Sequence, residues 1–232
     1  MASKKDQRLM VDNLVLHEIV EHANIVKDDV VLEVGAGNGH LTVELASRAK
    51  SVVAVEQDAD LCSVLRRRVA GFNNVQVIEG DALKVPLPAC TKVISNLPYS
   101  ISRKITVRLL EHGFREAFLL YQKEFAEKLA AKPESKNYRF ITVLVQSTCD
   151  VNLLLKVPPT AFSPQPKVSS MLVKLTQKIR PDREYIDFLQ NLFNHKNKKI
   201  RNIMENPPAK YADATPSGML PEEFIALYKL LN

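Results

Sequence analysis

Tryptophan is absent from these 232 residues, glycine occurs only seven times and cysteine only three. Cys62, Cys90 and Cys149 are odd in number, far apart and never paired as C-x-x-C. That excludes a disulfide framework and a thiolate-held metal, and fits a reducing, cytoplasmic setting. No run approaches the ~18 consecutive apolar residues of a membrane helix. The opening MASKKDQRLM carries positive charge with no apolar stretch behind it, so no secretory leader is expected. Metal-ligand clusters, a nucleophile–base pair, a P-loop, internal repeats and low-complexity tracts are missing too.

What is present has the balance of a globular chain, with 46% hydrophobic and 25% charged residues. The formal charge of +6 points to an anionic partner, and it is unevenly placed. Between Lys174 and Lys210 nine Lys/Arg face four Asp/Glu, so the basic part is C-terminal.

Short β-branched runs at Val30–Val34, Ser51–Val55, Val75–Ile78 and Lys92–Ser95 read as buried strands. Helical spacing marks Leu14–Asn24, His40–Ala49 and Asp58–Ala70. This alternation predicts a parallel sheet wrapped by helices. Arg115–Gln122 is a fifth strand and Glu124–Lys132 a helix. Tyr138–Cys149 is ambiguous, since FITVLV has strand propensity but the whole run also suits a buried helix. Val151–Val157 and Val168–Thr176, separated by the Pro-rich PPTAFSPQPK, predict an antiparallel hairpin at the sheet edge. Beyond Arg180 the pattern is helical, with Glu184–Glu205, a break at Pro207–Pro208 and a last helix from about Pro221. The expected domains are therefore 1–178, an α/β doubly wound sheet, and 179–232, small, basic and all-α.

Three of the seven glycines fall in Glu33-Val-Gly35-Ala-Gly37-Asn-Gly39, at the end of the first strand. They allow a tight turn and a close ligand. The spacing is G-x-G-x-G, not the G-x-G-x-x-G that cradles a pyrophosphate. The acid just before the first glycine suits an amine-bearing ligand better than a phosphate. Glu56 ends the second strand, placed to accept the ribose hydroxyls of an adenosine cofactor. Asp81 follows the third strand, where it could accept the exocyclic amine of the cofactor's adenine. Three successive strand ends thus carry a glycine turn and two acids, which is where open α/β sheets bind ligands.

The fourth strand ends in Asn96-Leu97-Pro98-Tyr99. The Asn96 side-chain carbonyl and the Leu97 backbone carbonyl can accept both protons of a planar amine. Pro98 fixes the turn that aims them, and Tyr99 offers a face for a base. Holding the amine's protons favours pyramidalisation, which frees a lone pair to attack an electrophilic methyl group. That is catalysis by positioning and preorganised acceptors.

Taken together, DQRLMVD (6–12), VLEVGAGNGHLT (31–42), VEQD (55–58), GDAL (80–83), NLPYSIS (96–102), YQKEFAEKLAAKP (121–133), AFSPQPKVSS (161–170) and HKNKKIR (195–201) resemble the rRNA adenine N6,N6-dimethyltransferases. NLPY followed by Ser-Ile-Ser is closer to the small-subunit branch, in an archaeal or eukaryotic version. The resemblance implies a Rossmann-like class I methyltransferase fold and S-adenosylmethionine as cofactor. The predicted cofactor site is Gln7, Arg8, Met10, Gly35, Gly37, Glu56, Asp81 and Asn96. Asn96, Leu97, Pro98 and Tyr99 would hold the target adenine, with Phe162 as a second aromatic wall for a base flipped out of its stack. The family also implies that Tyr138–Cys149 is helical.

Two features depart from the family. Its N-terminal motif usually reads Gly-Gln and then Asn or His, where this chain has Asp6-Gln7-Arg8, and the C-terminal helical region is shorter. A basic helix carrying His195, Lys196, Lys198, Lys199 and Arg201 is expected to track RNA phosphates. The expected activity is dimethylation of two adjacent adenosines of small-subunit rRNA, by a monomer with no membrane contact. A large-subunit rRNA methyltransferase and a non-catalytic assembly or RNA-binding factor are the competing readings.

Overall fold

The structure, a computed structural model, describes residues 8–231. Its main sheet is built of β2 (Val30–Val34), β3 (Ser51–Glu56), β4 (Val75–Glu79), β5 (Lys92–Asn96), β6 (Glu116–Gln122), β7 (Cys149–Val157) and β9 (Ser170–Gln177). A separate two-residue strand β1 (Leu9–Met10) pairs with β8 (Phe162–Ser163). The order in the main sheet is β4-β3-β2-β5-β6-β9-β7. The strands from β4 to β6 are parallel, whereas β9 runs antiparallel to both β6 and β7. The expected edge hairpin is therefore present, with β9 inserted inside β7.

Helices α1 (Asn13–Ala23), α2 (His40–Ala46), α3 (Ala59–Arg68), α4 (Ser102–His112), α5 (Lys123–Leu129) and α6 (Phe140–Thr148) cover the sheet's two faces. Strand alternation sorts the core between those faces. Leu32, Val93, Leu119 and Tyr121 join one apolar cluster with α4 and α6. Val31, Ile94, Phe118 and Leu120 join another with α1 and α2. Asp12 caps α1, its carboxylate accepting from the Leu14 and Val15 amides.

The ambiguous run is helix α6, and eight of its nine residues are buried. Helices α4, α5, α7 (Arg183–Asn194) and α8 (Pro221–Leu231) surround it, so burial on every side overrides the strand propensity of FITVLV. The expected boundary near Ile179 falls between β9 and α7. The helices beyond it pack on α6 and share the sheet's apolar cluster.

One expected element is corrected. The helix predicted over Glu184–Glu205 stops at Asn194, and the basic run after it is a turn leading into a single 3-10 turn, Ile200–Asn202. After Phe193 no apolar side chain is available to face the core until Ile200. Backbone bonds from Ile200 and Arg201 to the carbonyls of Ala214 and Ala212 instead pin the chain to a neighbouring loop.

Candidate active site

Chain order creates the site. From β2 the chain moves outward to β3 and β4, then crosses back to β5 on the other side of β2. The carboxyl ends of β2 and β5 thus diverge, and the crevice between them is the ligand position of a doubly wound sheet. A groove opens there, of about 580 Å³ counting its mouth, with Gly35, Glu56, Asp81, Asn96 and Pro98 on its wall. A smaller hollow continues it towards Glu33, Met10 and His40, and the two share Arg8, Leu9, Gly35, Gly37 and Asn96.

Backbone geometry explains two of the glycines. Gly35 sits at φ +73°, and a Cβ there would meet the Pro98 ring at 3.1 Å. The turn after β2 and the turn after β5 therefore touch, which keeps the wall between their two sites thin. Gly37, at φ +59°, would press a Cβ to 2.9 Å from the Leu9 side chain. Positive φ makes a larger residue strained at either position, and the close approach adds a neighbour that would have to shift.

Glu56 is buried at the end of β3. Its Oε2 accepts from the Gly37 amide at 2.8 Å, and its Oε1 accepts from the Gln57 and Asp58 amides at 2.9 and 3.0 Å. An ionised carboxylate has about four acceptor sites, so one remains for a ligand hydroxyl without rearrangement. Asp81 Oδ1 accepts from the Leu83 amide at 2.9 Å, a local turn that fixes the carboxylate at the groove's other end.

Glu33 belongs to the site as well, although only its position before Gly35 pointed to it. It is buried, and the Thr42 hydroxyl donates to its Oε2 at 2.7 Å. Burial, reinforced by the nearby Glu56 charge, pushes its carboxyl up to about 8 despite the Thr42 bond. A neutral carboxyl held in reserve suits a cationic ligand group, which would ionise it.

Asn96 Nδ2 donates to the Arg8 carbonyl at 2.9 Å, so the amide is oriented and its Oδ1 is left as the acceptor. Leu97 is buried behind it, and Tyr99 is half-buried with its phenol oxygen 2.6 Å from Ser170 Oγ. The structure thus gathers Arg8, Met10, Gly35, Gly37, Glu56, Asp81, Asn96 and Pro98 around one groove. Gln7 lies outside the described residues.

Phe162 is the exception. It is 2% exposed and belongs to the apolar cluster beneath α1 and α2. As it stands it is a core residue and not a pocket wall, because β8 pairs with β1 and turns the ring inward. Its contribution is to seat Met10, its partner in that pairing.

The family described as ribosomal RNA adenine dimethylase matches residues 2–220. The chain belongs to that family. A Methanosarcina acetivorans protein named probable ribosomal RNA small subunit methyltransferase A is 41% identical over 228 residues, covering 95% of this chain and 85% of that one. A dimethyladenosine transferase structure from Plasmodium falciparum superposes with a TM-score of 0.86 at 28% identity, covering 97% of both chains. The 23S rRNA methyltransferase ErmE superposes at 0.73 with 26% identity, covering 95% of this chain and 98% of ErmE. The adenine dimethylase uses S-adenosylmethionine, and the groove's chemistry fits that cofactor. It offers a buried carboxyl for an ammonium, a carboxylate with a spare acceptor for a ribose, and a third acid for an amino group. No group of His, Cys, Asp and Glu among the described residues could hold a metal. No described helix is long and apolar enough to cross a membrane.

Proposed function

We propose that this protein transfers methyl groups to the N6 amines of two adjacent adenosines in small-subunit rRNA. It would act as a cytoplasmic monomer on an assembling subunit. The observation that carries the reading is Asn96: it lines the groove at the end of β5 and its Nδ2 is committed to the Arg8 carbonyl, so its Oδ1 is left as the acceptor. S-adenosylmethionine, when bound, supplies an electrophilic methyl group on a sulfonium. Glu33 and the Gly35–Gly37 turn hold the methionine part, Glu56 the ribose and Asp81 the adenine. Asn96 Oδ1 and the Leu97 carbonyl accept hydrogen bonds from the target amine, of which one N–H remains for the second transfer; the cationic amine formed each time loses its proton to solvent, and Tyr99 stacks on the flipped base. As N6 attacks, its protons become more acidic and both acceptors bind them more strongly, so the interaction favours the transition state.

A set of basic residues outside the groove supports an RNA-binding reading. Two hollows at the join of α4, α6 and α7 share Arg103 and Phe140, with Arg103 lying 5.2 Å from the Phe140 ring centroid. Arg139 and Lys196 line one of them, and burial and the Arg139 charge both lower the Lys196 ammonium's pKa. Arg103, Arg139 and Lys196 form no ion pair among the described residues. By contrast, Lys199 and Arg201 both pair with Asp213. Within the basic run, Lys199 and Arg201 are thus neutralised by Asp213, whereas Lys196 joins Arg103 and Arg139 as unneutralised cations of the cleft. Replacing Arg103, Arg139 and Lys196 by Gln should lower the slope of log affinity against log salt by about 2 for single-stranded RNA. Replacing Lys199 and Arg201 should change it less. Filter binding across a salt series measures both, and an equal effect from the two sets would refute the cleft.

The test of the function is methyl transfer from labelled S-adenosylmethionine to immature small subunits and to large subunits in parallel, followed by digestion to nucleosides. Label in N6,N6-dimethyladenosine from small subunits alone is expected. Label from large subunits would favour the ErmE-like reading. No label on either, with cofactor still bound, would favour a non-catalytic assembly factor.

A further inference from the structure

We infer that Ser170 is a positioning residue for the reaction, its buried hydroxyl fixing the Tyr99 ring against which the target base stacks. The inference rests on the reading of Asn96–Tyr99 as the base site.

Tyr99 opens the 3-10 turn Tyr99–Ile101 directly after Pro98. Pro98 fixes the chain entering that turn, which leaves the ring two side-chain torsions. Its phenol oxygen meets Ser170 Oγ at 2.6 Å. Ser170 is an unusually firm anchor. It is fully buried at the first position of β9, where register pairs it with Gln122 of β6 on one side and Val157 of β7 on the other.

A hydroxyl buried at such a position is costly unless bonded, and alanine would pack there without that cost. Tyr99 is the only side chain that Ser170 Oγ meets among the described residues. The serine's one polar duty is therefore to the tyrosine. Contact at the para end pins the long axis of the ring. Burial raises the phenol's pKa, with the Ser170 bond and the Arg8 charge opposing, so the group bonded to Ser170 is a neutral phenol. Through this bond the edge hairpin, whose strands β7 and β9 supply no lining residue of the cofactor groove, reaches the base site.

The test is steady-state methyl transfer to immature small subunits by the full chain, with S-adenosylhomocysteine affinity measured alongside. Ser170→Ala should lower kcat about tenfold, the scale of one buried hydrogen bond. Tyr99→Phe should do the same. The double variant should lose no more than either single one, and Ser170→Thr should recover most of the loss. S-adenosylhomocysteine affinity should be unchanged throughout, which a general disturbance of the sheet would not allow. Losses that multiply in the double variant would overturn the inference, because the serine would then act through strand packing. Full activity in Ser170→Ala alongside a damaged Tyr99→Ala would overturn it while leaving the base site standing. A harmless Tyr99→Ala would overturn both.

Discussion

Replacing Asn96 by alanine should lower kcat by roughly 10²–10³ while leaving S-adenosylhomocysteine affinity within a few-fold, as expected for loss of an acceptor used mainly in the transition state. The basis is the division of labour within one amide. Nδ2 is spent on the Arg8 carbonyl, which leaves Oδ1 as the free acceptor of a residue on the groove wall. Alanine removes the acceptor and also releases the Arg8 segment. Asn96→Asp separates these effects, since it keeps an acceptor but sets a carboxylate against the Arg8 carbonyl with no proton between them. A loss in Asn96→Asp that approaches the alanine value would show that the anchor matters as much as the acceptor. Isothermal titration with S-adenosylhomocysteine and single-turnover methyl transfer supply the two readouts. A large loss of cofactor affinity with turnover preserved would sink the assignment.

The parts of this site that could be read in advance are those encoded locally. Glu56 and Asp81 sit where short apolar strands end, and a strand end in a parallel sheet faces the ligand crevice whatever surrounds it. The Gly35–Gly39 turn is legible for the same reason. What escaped depends on contacts distant in sequence. The pairing of Leu9–Met10 with Phe162–Ser163 joins two-residue strands some 150 positions apart and leaves no period in either. That pairing decides whether Phe162 faces a base or the core. Thr42 and Ser170 look like ordinary helix and strand residues until the fold brings Glu33 and Tyr99 to them.

Helices show the same division. Helix α4 follows the 3-10 turn Tyr99–Ile101 and has no side-chain cap, so nothing in NLPYSIS announces it. Helix α6 lacks a polar face because it is enclosed by other helices, which erases the helical period. The overextended C-terminal helix is the converse case. Its charged, Asn-containing tail is compatible with a solvated helix, and only the backbone bonds to Ala212 and Ala214 divert it.

Cofactor affinity should rise with pH, up to tenfold per unit, until about pH 8. The free protein holds Glu33 as a neutral carboxyl below about 8, chiefly because it is buried and secondarily because Glu56 is near. An ammonium seated against it favours the carboxylate, so binding at neutral pH must expel a proton. Titration calorimetry with S-adenosylhomocysteine in two buffers of different ionisation enthalpy should find close to one proton released at pH 7, less as pH passes 8, where Glu33 is already ionised and the ligand's own amine begins to take one up. The same carboxyl affects folding in the opposite sense. Its folded pKa lies above the ordinary 4.5, so its contribution is fully present below that value and is lost as pH rises towards 8. The slope between those limits is about 1.4 kcal/mol per unit. Glu33→Gln removes both dependences: the free protein should melt higher at pH 8 than the parent, bind cofactor more weakly, and release no proton on binding. Proton release that persists in Glu33→Gln would place the titrating group elsewhere in the groove.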